Sequence, residues 1–70
     1  MAIKKDKDKN KEKLNNFFWR ARVKRHMNNY KDAIDDYLKV IADPNNVDPQ
    51  IFFESQFSIG VCYRRVGNLE

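Results

Sequence analysis

Apolar residues recur at helical spacing in three separate stretches of this chain. In the middle stretch Tyr30, Ala33, Ile34, Tyr37, Leu38 and Ile41 stand at offsets 0, 3, 4, 7, 8 and 11. That is the stripe of a helix with one face on a core, and it predicts a helix from Tyr30 to about Ala42. Asp32, Asp35 and Asp36 fall off the stripe and are expected on a solvated face. Asp32 in the first turn suits the positive end of the helix dipole. Lys39 follows Asp35 by one turn, acid first, an arrangement that contributes about 0.3 kcal/mol.

The first stretch predicts a helix from Leu14 to about Met27. Leu14, Phe17, Phe18 and Ala21 form one stripe, and Trp19, Val23 and Met27 form a second at steps of four. Two stripes imply neighbours on more than one side. Asn28-Asn29 should stop the helix, because Asn tolerates the left-handed conformation of a tight C-cap. The segment Asp43-Pro44-Asn45-Asn46-Val47-Asp48-Pro49 reads as a loop. It closes with Asp48 as N-cap, Pro49 at the first helical position, and Val47 with Phe52 as a hydrophobic staple.

The third helix runs from Pro49 to about Val66. Phe52, Ile59, Cys62, Tyr63 and Val66 share one broad face, and Phe53, Phe57 and Val61 share another. Gly60 in mid-helix costs up to about 1 kcal/mol relative to Ala and points to the close approach of another backbone. Gly67 then closes the helix. Residues 1–13 read differently: Lys4 to Lys13 holds no apolar residue, so this segment is expected to be a disordered basic tail that extends the first helix by a turn at most. A polyanion-binding arm is the sharper alternative, weakened because Asp6, Asp8 and Glu12 interrupt the run.

Charge changes this picture by being segregated. Met1 to His26 holds seven Lys and three Arg against two Asp and one Glu, a net of +7, while Met27 to Glu70 nets −3, which together give +4. Seventy residues make one small, marginal domain. One Cys excludes an internal disulfide and a cysteine-built zinc site. No apolar run approaches the ~20 residues of a membrane span, and no apolar region follows the N-terminal charge as in a signal peptide. The expected setting is intracellular and cytoplasmic, with no membrane partner.

An internal recurrence joins the stretches. Asn29-Tyr30 lines up with Asn68-Leu69, Asn28 with Gly67, and Ala21 with Gly60, all 39 residues apart. Ile59-Gly60-x2-Tyr63 followed by Gly67-Asn68-Leu69-Glu70, and Ala33-x3-Tyr37 with Pro44, together resemble the tetratricopeptide repeat, a helix–turn–helix unit with a Trp-x2-Leu-Gly-x2-Tyr first helix and an Ala-x3-Phe…Pro second. Phe17 takes the Trp position of the first copy and Ala21 the Gly position. Arg20 and Lys24 depart from the pattern where Leu and Tyr are expected, and Gln56 stands where the second copy should carry Trp. The resemblance covers Leu14 to Glu70. It implies an all-α fold, an antiparallel hairpin over 14–46 and the first helix of a second repeat over 47–70, as part of an α-solenoid. It further implies small residues at Ala21, Ala33 and Gly60 where helices approach, and Tyr37 and Tyr63 as wedges between helix pairs. A longer array, or a partner chain, is expected to cover the third helix.

No residues group into a catalytic constellation. His26 is the single His, without a carboxylate to orient it, and reads as a helix-end surface residue; Cys62 reads as a packed thiol. No cofactor or metal is expected, and an enzyme is the least favoured class. What the resemblance implies is a protein-interaction scaffold with a concave face lined by Phe18, Arg22 and Arg25 from the first copy and Phe57, Val61, Arg64 and Arg65 from the second. Asn15, His26 and Glu54 align with the same face. Some family members grip a partner's terminal carboxylates with Lys and Asn; Phe18 and Arg22 stand at those places here, so that clamp is not supported. An aromatic floor with basic patches suits an acidic, partly apolar peptide. Against this stands simple packing of Phe18 and Phe57 between helices. The alternative function is a nucleic-acid-binding module built on Trp19-Arg20-Ala21-Arg22-Val23-Lys24-Arg25-His26 and the basic tail. A third reading takes Lys13 to Met27 as a calmodulin-type target helix, which would need that helix free of its neighbours.

Overall fold

A computed structural model describes the backbone of residues 2–69 and the side chains of residues 10–67. Among the described residues the chain is all-α: α1 Ala2–His26, α2 Tyr30–Ile41, a short 3-10 turn over Pro44–Asn46, and α3 Pro49–Leu69. Helix α2 is the middle member. It packs along α1 on one side and α3 on the other, while α1 and α3 barely meet. The result is elongated, 49 × 18 × 14 Å.

The reversal between α1 and α2 is set by the two asparagines. Asn28 adopts a positive φ of 65°, and its N–H donates to Arg25 O at 3.0 Å while Asn29 N–H donates to Lys24 O at 2.8 Å. These are the two bonds of a Schellman closure, with Asn in the position that glycine usually takes. The second turn is stabilised locally: Asn46 Nδ2 donates to Asp43 Oδ2 at 2.7 Å. Helix α3 starts at Pro49, with Phe52 N–H donating to Asp48 O at 3.0 Å.

One expectation is corrected at the N-terminus. The backbone from Ala2 to Lys13 is helical and continuous with α1, not a structureless tail. Lys and Glu are straight-chain residues that lose little rotamer freedom in a helix, and the run has no Gly or Pro to break it. Lys11 Nζ also reaches Asp48 at 3.1 Å, tying this part of α1 to the start of α3.

The core takes Phe18 and Ala21 from α1, Ala33, Ile34, Tyr37 and Val40 from α2, Val47 from the loop, and Ile59 and Cys62 from α3. Phe18 meets Tyr37 edge to face, centroids 6.2 Å apart, a favoured aromatic geometry. Ala21 and Ala33 are fully buried, as close helix packing requires.

Three further corrections concern α3 and α2. Gly60 is exposed and no side-chain or neighbouring-helix atom lies within 4 Å of where a Cβ would stand, so no backbone approaches there. The small residues that seat α3 are Ser55, Ser58 and Cys62, all fully buried; Gly60 lies about 200° around the helix from Ser58 and from Cys62. Tyr63 is exposed and wedges nothing, whereas Tyr37 is fully buried. Asp36, expected in solvent, is buried with its side chain 3% exposed. Lys24 Nζ lies 2.9 Å from its carboxylate, with Arg20 Nε at 3.9 Å and Lys39 Nζ at 4.0 Å. Arg20 and Lys39 also sit over the Phe17 ring, at 5.7 and 4.9 Å from its centroid. The two basic residues that break the apolar pattern of α1 are therefore matched by one buried acid on α2.

Candidate interaction surface

Because α1 and α3 flank α2 without closing on each other, a groove runs between them. At its end near the Asn28 turn lies a cleft of about 290 Å³ lined by Arg25, His26, Asn28, Tyr30, Val61 and Arg65. Arg25 is held across the groove: its Nη1 donates to the buried Ser58 Oγ at 3.2 Å. Tyr30 Oη donates to Asn28 Oδ1 at 2.8 Å, which fixes the turn side chain against the start of α2. Among the described residues no acidic side chain lines the cleft.

The seven residues expected on the concave face separate into groups. Arg25, Val61 and Arg65 come together in the cleft. Phe18 does not belong with them: it is buried, packed on Tyr37 and edge-on to Trp19 with centroids 5.5 Å apart. This corrects its assignment as an accessible groove floor, because the stripe Leu14, Phe17, Phe18 and Ala21 is consumed by packing on α2. Arg22 is half-buried and lies over the Trp19 ring at 5.0 Å and the Phe18 ring at 5.9 Å, a cation–π arrangement that covers Phe18 from outside. Phe57 and Arg64 are exposed on the side of α3 turned away from α2, together with Phe53. Phe53 and Phe57 are 68% and 71% exposed. Trp19, Val23 and Met27 form a further exposed stripe on α1.

Asn28 and Tyr30 complete the cleft, although nothing in the repeat alignment placed them on the concave face. The signal was available in the turn: residues that reverse the chain between α1 and α2 must lie at the end of the groove that α1 and α3 enclose.

The Cys62 thiol sits at the inner edge of this region. Burial pushes its pKa up from the ordinary 9.0, and the nearby Arg25 charge opposes that only in part. It is a protonated packing group at neutral pH. Among the described residues no three His, Cys, Asp or Glu side chains are grouped to hold a metal ion. Among the same residues, no helix is long and apolar enough to cross a membrane. No family model, curated protein or solved structure matches the chain.

Proposed function

We propose that this chain is a protein-interaction module of the helical-repeat type, a scaffold that works by shape and charge. The observation that carries this reading is the outward face of α3. Phe53 and Phe57 stand one turn apart, each about two-thirds or more exposed, on a helix whose opposite face is sealed by Ser55, Ser58, Ile59 and Cys62. Covering a large apolar side chain contributes about 1.5–3 kcal/mol, and repeat modules gain such cover from the next helix or from a partner. The tetratricopeptide-like spacing of Ala33 and Tyr37, both buried, supports the same class.

The test is a chimaera in which an amphipathic helix follows Glu70 through a short turn. Burial of Phe53 and Phe57 should raise the melting temperature by about 10 °C or more, taking a net gain of ~2 kcal/mol at ~4–8 °C per kcal/mol. The gain should vanish when both are changed to Ser. An unchanged melting temperature in the chimaera would defeat the reading.

The nucleic-acid alternative is disfavoured by the use made of the basic residues. Arg20 and Lys24 are drawn to Asp36, which leaves less free positive charge on α1 than its composition promises.

A further inference from the structure

We propose that the cleft at the Asn28 turn is a recognition site for a phosphate monoester, carried by a phosphorylated side chain of a peptide partner. This deepens the interaction-module reading and rests on it for the identity of the partner, but not for the chemistry of the site.

Three observations converge. First, the cleft gathers Arg25 and His26 from α1 and Arg65 from α3, with no acid among the described residues of its lining. Among the described residues neither His26 nor Arg65 has an ion-pair partner. The basic last turn of α1 could be explained by its own helix dipole. Arg65 could not, because it arrives from another helix and adds like charge to the same space.

Second, Arg25 is pre-set. One guanidinium nitrogen is held by buried Ser58, so the remaining N–H groups are oriented before a ligand arrives. Arg forks bind phosphate oxygens in pairs, with more geometric selectivity than a Lys ammonium.

Third, the cleft opens beside the first turn of α2. Asn29, at the N-cap, makes no side-chain cap hydrogen bond. That leaves the Asn29 side-chain amide uncommitted to capping at this end of the cleft, while Asp32 in the same turn answers the α2 dipole. One carboxylate is satisfied by a single Arg fork, whereas two guanidiniums and an imidazole suit a tetrahedral dianion. Val61 in the cleft wall and Phe57 one turn before it on α3 give the neighbouring peptide residue an apolar seat.

The test is a titration of the full chain, followed by amide and Arg side-chain NMR shifts, with methyl phosphate, acetate, a phosphoserine peptide, its unphosphorylated Glu-containing counterpart, and a single-stranded oligonucleotide. Methyl phosphate should shift Arg25, His26, Asn28, Tyr30 and Arg65 saturably. It should bind at least fivefold more tightly than acetate, and the phosphopeptide more tightly still. Arg65→Gln, a change at an exposed position whose fold is checked by circular dichroism, should weaken methyl phosphate at least fivefold. Arg64→Gln, the neighbouring exposed arginine outside the cleft, should not. Shifts spread over the Lys-rich part of α1, equal binding of acetate, indifference to Arg65→Gln, or an oligonucleotide bound more tightly than the phosphopeptide would each overturn the assignment. Binding of the acidic peptide without any response to methyl phosphate would remove this inference while leaving the interaction-module reading in place.

Discussion

Changing Lys24 to Met should destabilise the fold more than any other single loss of a positive charge. Asp36 is nearly sealed from water, and Lys24, itself only 27% exposed, stands 2.9 Å from it. At an effective dielectric near 20 the gross attraction at that distance is about 6 kcal/mol, much of it offset by desolvation. Removing one partner of a buried pair costs about 3–5 kcal/mol. Here Arg20 and Lys39 lie 3.9 and 4.0 Å away and are both more than half exposed, so they can move in and reduce the loss to about 2–3 kcal/mol. For a chain of this size that corresponds to a fall of roughly 10–20 °C in melting temperature. Arg20→Met and Lys39→Met, which remove exposed partners, should each cost about 1 kcal/mol or less. The assay is urea unfolding followed by circular dichroism, with an osmolyte present if the variant is too weak for a folded baseline. Replacing the pair together, Lys24→Met with Asp36→Leu, should restore most of the loss, since apolar packing replaces a buried ion pair at little net cost. A Lys24→Met variant within 0.5 kcal/mol of wild type, or one no worse than Arg20→Met, would show that Asp36 is not organised as described.

Other changes separate packing from open surface. Gly60→Ala should stabilise by up to about 1 kcal/mol, because nothing crowds the position and helix propensity improves; a loss in urea melts would mean that a neighbour does approach there. Phe57→Ser should leave stability within about 0.5 kcal/mol, while Phe18→Ala should cost about 3–5 kcal/mol, and equal effects in parallel melts would contradict the burial pattern. For Cys62 the folded thiol titrates above its unfolded value of 9.0. The contribution of the buried neutral thiol is therefore complete below about 9 and is lost as pH rises through the folded value. Between about pH 8 and 10 wild type should lose more stability than Cys62→Ala, and identical losses would sink that account.

Much of the architecture was legible because it is local. The Asn28-Asn29 stop and the Pro49 start act within a few residues, and both fall where expected. The stripe on α2 gave Ala33, Ile34 and Tyr37 correctly as buried. It missed Val40 and Asp36 because α2 has neighbours on two sides, which widens and rotates its buried arc beyond what one stripe displays. Asp36 looked like a surface acid because its partners, Arg20 and Lys24, are distant in sequence and were themselves read as departures from a pattern. Gly60 misled for a related reason. Small size signals close approach only on the face that meets a neighbour, and that face carries Ser55, Ser58 and Cys62. Of the residues assigned to a concave face, Arg25 and Arg65 meet in one cleft, whereas Phe18 was not separable from the core it serves. Residues 4–13 hold no apolar side chain, so their helical backbone could not be read from periodicity.

The scarcity of direct packing between α1 and α3 has a mechanical consequence. Their separation is governed by each helix's grip on α2 and by the Arg25–Ser58 and Lys11–Asp48 ties, so the two outer helices behave like the jaws of a calliper with a stiff spine. Spreading them breaks polar links that water can replace, whereas shearing either one along α2 would tear apart the interlocked core. The gap between the outer helices can therefore widen without disturbing their packing on α2.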